Sequence, residues 1–101
     1  MVSRENADGV AALSLCGEFD LAMVPSVRSR LAGIRGGVAL DCVGVTFMDS
    51  AGISLLIELH HACLTRGAKL TVVNPPRCVT RLLALTGVDQ LVEVRSEATA
   101  P

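Results

Sequence analysis

One short segment, TFMDSAGISLL from Thr46 to Leu56, combines residue types that could do chemistry. Asp49 and Ser50 place a carboxylate beside a hydroxyl, and two small residues then lead into an aliphatic run. Such a serine could be a nucleophile, the cap of a helix, or a hydroxyl that another protein modifies. Each role needs different neighbours, so the residues around Ser50 decide between them.

A nucleophilic role for Ser50 lacks the residues that would support it. A serine nucleophile is activated by a base within hydrogen-bonding reach, and that base is oriented by a third group. The only histidines, His60 and His61, lie on the predicted helix that Ser50 opens, at about 15 Å along its axis. The segment also lacks the G-x-S-x-G pattern of a nucleophile elbow. We therefore expect that the chain is not an enzyme.

The cap and the modified hydroxyl are both compatible with the segment. Aspartate and serine are favoured just before a helix, because their side-chain oxygens accept backbone N–H groups that lack a helical partner. The same helix terminus tolerates a phosphate, which would add close to two negative charges beside Asp49. A partner surface shaped for a small hydroxyl, approached closely at Ala51 and Gly52, would then meet a bulky dianion. Spacing alone favours the cap.

The cysteines offer a second group of chemically active side chains, namely Cys16, Cys42, Cys63 and Cys78. They are widely spaced, form no C-x-x-C pair and have aliphatic neighbours, which predicts buried thiols in a reducing compartment. No set of residues has the spacing of zinc ligands, so we expect no metal site. A redox role for one of the thiols stays open.

Composition limits the partners of the chain. Its 101 residues fit one domain, residues 1–101 with a core at about 9–95, and 50% of them are hydrophobic. With only Phe19 and Phe47 as aromatic residues and a net charge of −1, the chain lacks the features of a nucleic-acid-binding surface. No apolar run approaches the roughly 20 residues of a membrane span, and the polar N-terminus lacks a signal core. The expected location is the cytoplasm.

Alternating strands and helices are predicted to position Asp49 and Ser50. Apolar runs predict strands at 9–20, 36–42, 68–73 and 90–94, with 1–5 as a candidate edge strand. Helical spacing predicts helices at 21–33, 51–67 and 75–87. Because this alternation requires crossovers, the central strands should be parallel. The expected fold class is α/β, a small mixed sheet packed by three to four helices.

The predicted helix after Ser50 has one narrow polar side. Its polar residues are Ser54, Glu58, His61 and Thr65, and the rest of its circumference is mostly apolar, which indicates packing on the sheet. Ser54 and Glu58 are candidates for contact with a partner or are simply solvated. Phe47 and Met48 are expected to fill the core below the loop, with Met48 alternatively on the contact surface.

Three motifs resemble those of the STAS domain, the module shared by anti-sigma factor antagonists and the tails of sulfate transporters. They are GEFD at 17–20, TFMDSAG at 46–52, and the ordered run of RGAKLTVVNP, V-R-L-L and L-T-G. The resemblance covers residues 9–95 and implies a single STAS domain. In the D-S-x-G motif of the family, the phosphorylated serine follows the aspartate, and this position is Ser50. Asp20 takes the position of the acid in the family's G-E-L-D.

The resemblance implies a function through partners. In the family, the unphosphorylated antagonist binds an anti-sigma factor that is also a serine kinase, and thereby frees a sigma factor. Phosphorylation ends this binding, and a phosphatase resets the switch. Because the kinase brings nucleotide, Mg²⁺ and the catalytic base, this chain is expected to need no cofactor. It is also expected to be a monomer or weak homodimer. The expected contact residues are Asp20, Met48, Asp49, Ala51, Gly52, Ser54 and Glu58.

A second interpretation within the same family is a docking subunit of a membrane transport or lipid-trafficking complex. The same surface would then bind a transporter component, and Ser50 would serve only as a cap. A third and weaker interpretation is a small-ligand carrier, which would need an apolar pocket.

Overall fold

The computed structural model describes residues 2–7 and 10–97. Its elements are β1 (Val2–Ala7), β2 (Val10–Phe19), α1 (Val24–Leu31), β3 (Val38–Met48), α2 (Ser50–Thr65), β4 (Leu70–Val73), α3 (Arg77–Thr86), a 3-10 turn (Val88–Gln90) and β5 (Glu93–Arg95). The predicted alternation of strands and helices is confirmed, including the edge strand predicted at 1–5, although Met1 lies outside the described residues. The last strand, predicted at 90–94, begins only at Glu93, because a 3-10 turn extends to Gln90.

The strands lie in the sheet in chain order, β1-β2-β3-β4-β5. β1 is antiparallel to β2, and the other three neighbouring pairs are parallel. Each parallel pair needs a crossover, and α1, α2 and α3 supply the three crossovers. The mixed α/β sheet with a parallel centre and three helices therefore agrees with the expected fold class.

The helices cover one face of the sheet. Leu13 on β2 and Leu40 on β3 are fully buried and share one core with Leu56 of α2. Residues of the opposite parity, such as Ser14 and Val43, are exposed. Because each crossover advances one strand in the same direction, and such crossovers are right-handed, all three helices fall on the same side.

The helices begin and end close to the predicted positions. Pro25 lies in the first turn of α1, where its missing N–H costs no helical hydrogen bond. α2 ends just before Gly67 and α3 just before Gly87, and these glycines have φ values of 71° and 77°. This left-handed conformation favours glycine and ends a helix.

β3 is longer than predicted and changes register, and the expected burial of Phe47 is wrong. Gly17 lies opposite Val45 whereas Glu18 lies opposite Phe47, so Thr46 is an extra residue on β3. The pairing also shifts between Ser14 and Cys16, which lie opposite Asp41 and Gly44, so β3 carries two extra residues. Each such bulge reverses the alternation of the side chains that follow it. Met48 consequently joins the core, as expected, and Phe47 is 49% exposed.

The added length of β3 produces an overhang, defined as residues 16–19 of β2 and 44–48 of β3. Within the described chain, β1 pairs with β2 only as far as Leu15, and β4 pairs with β3 only as far as Asp41. The two overhanging segments pair with each other. They carry the loops that follow β2 and β3 beyond the body of the sheet.

The cysteines divide into buried and accessible thiols. Cys42 and Cys63 are buried as predicted, and Cys78 is half-buried with its Sγ 3.8 Å from the carbonyl oxygen of Val45. The expected burial of Cys16 is wrong, because its side chain lies on the face of the sheet that the helices leave uncovered. Burial, with smaller contributions from Asp41 and Cys78, raises the pKa of the Cys42 thiol to about 12.

Alkylation should distinguish these thiols. Iodoacetamide at about pH 8 should modify exposed Cys16 first and leave Cys42 unmodified in the folded protein, because the thiolate is the reactive form. Peptide mass mapping over time measures both rates. Unfolding the protein in denaturant provides the control and should make the rates similar. Equal rates in the folded protein would contradict the assigned burial.

Candidate functional site

The carboxyl ends of β2 and β3 bring the two predicted acidic residues to one edge of the sheet. Phe19 lies opposite Met48, and the N–H of Asp49 donates to the carbonyl oxygen of Phe19 at 3.5 Å. Asp20 and Asp49 therefore begin two adjacent loops. Loops at the carboxyl ends of parallel strands are the usual position of functional sites in α/β folds.

Asp49, rather than Ser50, is the cap of α2. Its backbone is extended, with φ −125° and ψ −169°, and its Oδ1 accepts hydrogen bonds from the N–H groups of Ala51 at 2.9 Å and Gly52 at 3.4 Å. Ser50 is the first residue of the helix and is exposed. The predicted capping role therefore belongs to Asp49, and the hydroxyl-bearing residue is on the surface.

Removing this cap should have a measurable cost. Asp49→Ala should lower the free energy of unfolding by about 1 kcal/mol, because two N–H groups lose their acceptor. Asp49→Asn retains an acceptor and should lose much less. Urea denaturation of the two variants measures the difference. Equal losses would argue against capping and in favour of a role for the charge alone.

Asp20 holds the second loop in a similar way. Its Oδ1 accepts hydrogen bonds from the N–H groups of Ala22 at 3.0 Å and Met23 at 3.3 Å. This fixes the turn between β2 and α1. Asp20 and Asp49 thus each use a carboxylate oxygen to stabilise their own loop.

Gly52 allows α2 to contact the end of β2. A Cβ atom at Gly52 would lie 2.7 Å from the carbonyl oxygen of Phe19 and 3.1 Å from side-chain carbons of Met48. Gly52 is buried and Met48 is only 5% exposed, whereas Ala51 is half-buried. The structure therefore places Met48 and Gly52 beneath the surface, where they support the loop that presents Ser50.

The polar side of α2 is exposed as predicted, including Ser54 and Glu58. Glu58 accepts two hydrogen bonds from Arg28 of α1, at 2.7 Å and 3.1 Å. Both side chains are about half exposed, so solvent screening limits the contribution of this ion pair to under about 1 kcal/mol. No pattern in the sequence predicts this pairing, because it depends on how α1 and α2 lie together.

Two exposed apolar side chains at this end were not predicted as site residues. Leu21 directly follows Asp20 and is 74% exposed, and Phe47 lies three residues before Ser50 and is 49% exposed. Single exposed apolar side chains are common on protein surfaces, so it is the position of these two near Ser50 that makes them candidates for contact with a partner. The bulge at Thr46 has no clear sequence signal, which is why Phe47 was assigned to the core.

The described residues offer little for other chemistry. His60 and His61 contact each other in the C-terminal half of α2, with ring centroids 5.5 Å apart. Among residues 2–7 and 10–97, no three His, Cys, Asp or Glu side chains are grouped as metal ligands. None of the helices in this part of the chain has the length and apolar character needed to cross a bilayer.

A shallow hollow of about 450 Å³ lies beside Asp20. It is lined by Cys16, Gly17, Glu18, Asp20, Ala22, Met23 and Ser26. Small and polar residues form most of this lining. The hollow therefore differs from the apolar pocket that a small-ligand carrier would need.

Known proteins share both the sequence pattern and the fold. The family model of the STAS domain matches residues 1–99. The anti-sigma-B factor antagonist of Bacillus subtilis (strain 168) is 22% identical over 89 residues, which are 85% of this chain and 82% of that protein. The anti-sigma factor antagonist SpoIIAA in its unphosphorylated form has a TM-score of 0.84 at 16% identity, covering 97% of this chain and 89% of that one. The STAS domain of the SulP transporter from Vibrio cholerae has a TM-score of 0.70 at 25% identity, covering 90% of this chain and 76% of that one.

Proposed function

Because this chain belongs to the STAS domain family, we propose that it is an anti-sigma factor antagonist. It binds a cognate anti-sigma factor that is also a serine kinase, and this binding releases a sigma factor. Phosphorylation of Ser50 by the kinase ends the binding. The similarity to the anti-sigma-B factor antagonist of Bacillus subtilis supports this proposal.

The observation that carries the proposal is the exposed position of Ser50 at the N-terminus of α2. A kinase can reach a serine in this position without unfolding the loop. The partial positive charge of the helix end favours the negative charge of a phosphate. Since Asp49 already caps the helix, phosphorylation leaves the fold intact and changes the surface that a partner meets.

The proposed contact surface surrounds Ser50 and consists of Asp20, Asp49, Ala51 and Ser54. Met48 and Gly52 act from below by holding this surface in place. Glu58 lies further along α2, where it pairs with Arg28 of the adjacent helix α1.

The chemistry of the switch belongs to the partners. The kinase supplies nucleotide, Mg²⁺ and a catalytic base, and a phosphatase removes the phosphate from Ser50. The chain itself acts as a non-enzymatic protein without a cofactor, and it works in the cytoplasm as a monomer or weak homodimer.

A binding experiment with purified proteins tests this function. The chain is mixed with each serine-kinase anti-sigma factor of the source organism, and complex formation is followed by calorimetry before and after incubation with ATP. We expect one of these kinases to bind the unphosphorylated chain and to lose it once Ser50 carries a phosphate. Failure of all of them to bind would refute the proposal.

A second candidate function is a docking subunit of a membrane transport complex, which the likeness to the SulP transporter STAS domain favours. In that case the chain would bind a permease component, and Ser50→Asp would leave this binding unchanged. Quantitative co-purification of a membrane protein with the wild-type chain and with Ser50→Asp separates the two functions.

A further inference from the structure

We propose that Leu21 and Phe47 are the apolar anchors through which this chain binds its anti-sigma partner, and that their burial makes the complex reject a negative charge at Ser50. The inference rests on the proposed function, because it specifies the contact and the regulation of the same site. It assigns the binding energy to two residues outside the recognised motif positions of Asp20 and Ser50.

The fold places both anchors at the end of the sheet that presents Ser50. Phe47 lies opposite Glu18 on the overhang, and Leu21 lies in the turn that Asp20 stabilises. The backbone hydrogen bond from Asp49 to Phe19 joins the two loops. A single partner surface that covers Ser50 can therefore cover both anchors.

The anchors are two of several large apolar side chains that the described chain leaves exposed, and they lie at the end of the sheet that carries Ser50. Leu21 and Phe47 are 74% and 49% exposed, while Met23, two residues after Leu21, and Met48, next to Phe47, are buried. Binding energy in protein interfaces is concentrated in a few large side chains, often aromatic, that become fully buried. Leu21 and Phe47 are the large apolar side chains that the described chain offers for this purpose beside Ser50.

Charge at this end restricts the partner further. Glu18 lies opposite Phe47 on the overhang, Asp20 directly precedes Leu21, and Asp49 follows Phe47 by two residues. An acidic partner surface would be repelled, so the complementary surface has an apolar centre and a basic rim. The rim guides association, and the apolar centre supplies most of the affinity.

An apolar centre explains how a phosphate on Ser50 would prevent binding. In the unbound chain, water solvates the phosphate. In the complex, water would be excluded, and the N–H groups of Ala51 and Gly52 are already occupied by Asp49. Burying a dianion without compensating donors is costly. The complex is therefore disfavoured by desolvation rather than by repulsion between like charges.

Alanine substitution of the anchors tests the first half of the proposal. Leu21→Ala and Phe47→Ala should each raise the dissociation constant of the complex at least about tenfold. Leu85→Ala on α3 and Leu64→Ala on α2 are matched controls, because these residues are 73% and 59% exposed. Both lie near the C-terminal ends of their helices, whereas Ser50 lies at the N-terminal end of α2. The controls should change the dissociation constant less than about twofold.

Salt dependence tests the second half. The rejection of charge is measured as the ratio of dissociation constants for Ser50→Asp and its neutral isostere Ser50→Asn. If desolvation dominates, this ratio should not fall between about 0.05 and 0.5 M salt, whereas Coulombic repulsion would be screened. The ratio should also shrink when either anchor is replaced by alanine.

The outcomes separate this proposal from the function on which it rests. Binding of the wild-type chain together with unchanged affinity of both anchor variants would refute the anchors and leave the antagonist function standing. A ratio that falls towards one at high salt would refute desolvation. Absence of wild-type binding would refute the function itself. Thermal unfolding of each variant confirms that a loss of affinity does not arise from a loss of folding.

Discussion

Ser50→Ala should abolish phosphate transfer to this chain and preserve partner binding, whereas Ser50→Asp should weaken binding at least about tenfold. Alanine removes the acceptor oxygen and keeps a small, neutral side chain at the first position of α2. Aspartate instead brings a permanent negative charge to a surface that must lose its water on binding. Both variants retain the Asp49 cap, so their stability should stay close to that of the wild-type protein.

Intact-mass measurement after incubation with the kinase and ATP decides the first part of this prediction. The wild-type chain should gain a single phosphate and Ser50→Ala none. Ser54→Ala is the matched control, since it removes the nearby exposed serine of the same helix and should still accept the phosphate. Retention of a phosphate by Ser50→Ala would show that another residue is the acceptor.

Gly52→Ala should destabilise the fold by about 2 kcal/mol, a typical cost of overpacking. The added Cβ would lie 2.7 Å from the carbonyl oxygen of Phe19. This oxygen belongs to the backbone and cannot rotate away, so α2 and the end of β2 must move apart. Alanine is the better helix former by about 1 kcal/mol, which offsets part of the cost.

Chemical denaturation of Gly52→Ala and Ser54→Ala measures the effect. Ser54 is exposed on the same helix, so its substitution should change the stability by less than about 0.5 kcal/mol. Because the displacement also separates the Asp20 loop from Ser50, Gly52→Ala should weaken partner binding more than its effect on folding explains. Wild-type stability in Gly52→Ala would mean that the contact with Phe19 relaxes freely.

The helix boundaries and the sheet were predictable because local signals agree with the packing. Gly67 and Gly87 end helices through a backbone conformation that glycine adopts easily. Asp49 precedes α2 and caps it. Parallel pairing followed from the lengths of the crossovers. For the helix ends and the cap, the information lies within a few residues of the feature.

The details of the contact surface were less predictable because they depend on tertiary contacts. The exposure of Phe47 follows from two register shifts in the pairing of β3 with β2, and this register is decided by packing along both strands. The pairing of Arg28 with Glu58 depends on the distance between two helices. The sequence motifs indicated where the site lies, and the structure was needed to distinguish surface residues from their supports.

The overhang affects how the binding surface of such a protein can evolve. Its two segments extend past the strands that flank them within the described chain. Phe19 of the overhang is fully buried, and other large core side chains, such as Leu13 and Leu40, lie in the body of the sheet. Substitutions at exposed positions of the overhang, such as Phe47, therefore disturb few core contacts. A duplicated copy of the gene can acquire a new partner through such substitutions and still encode a protein that folds.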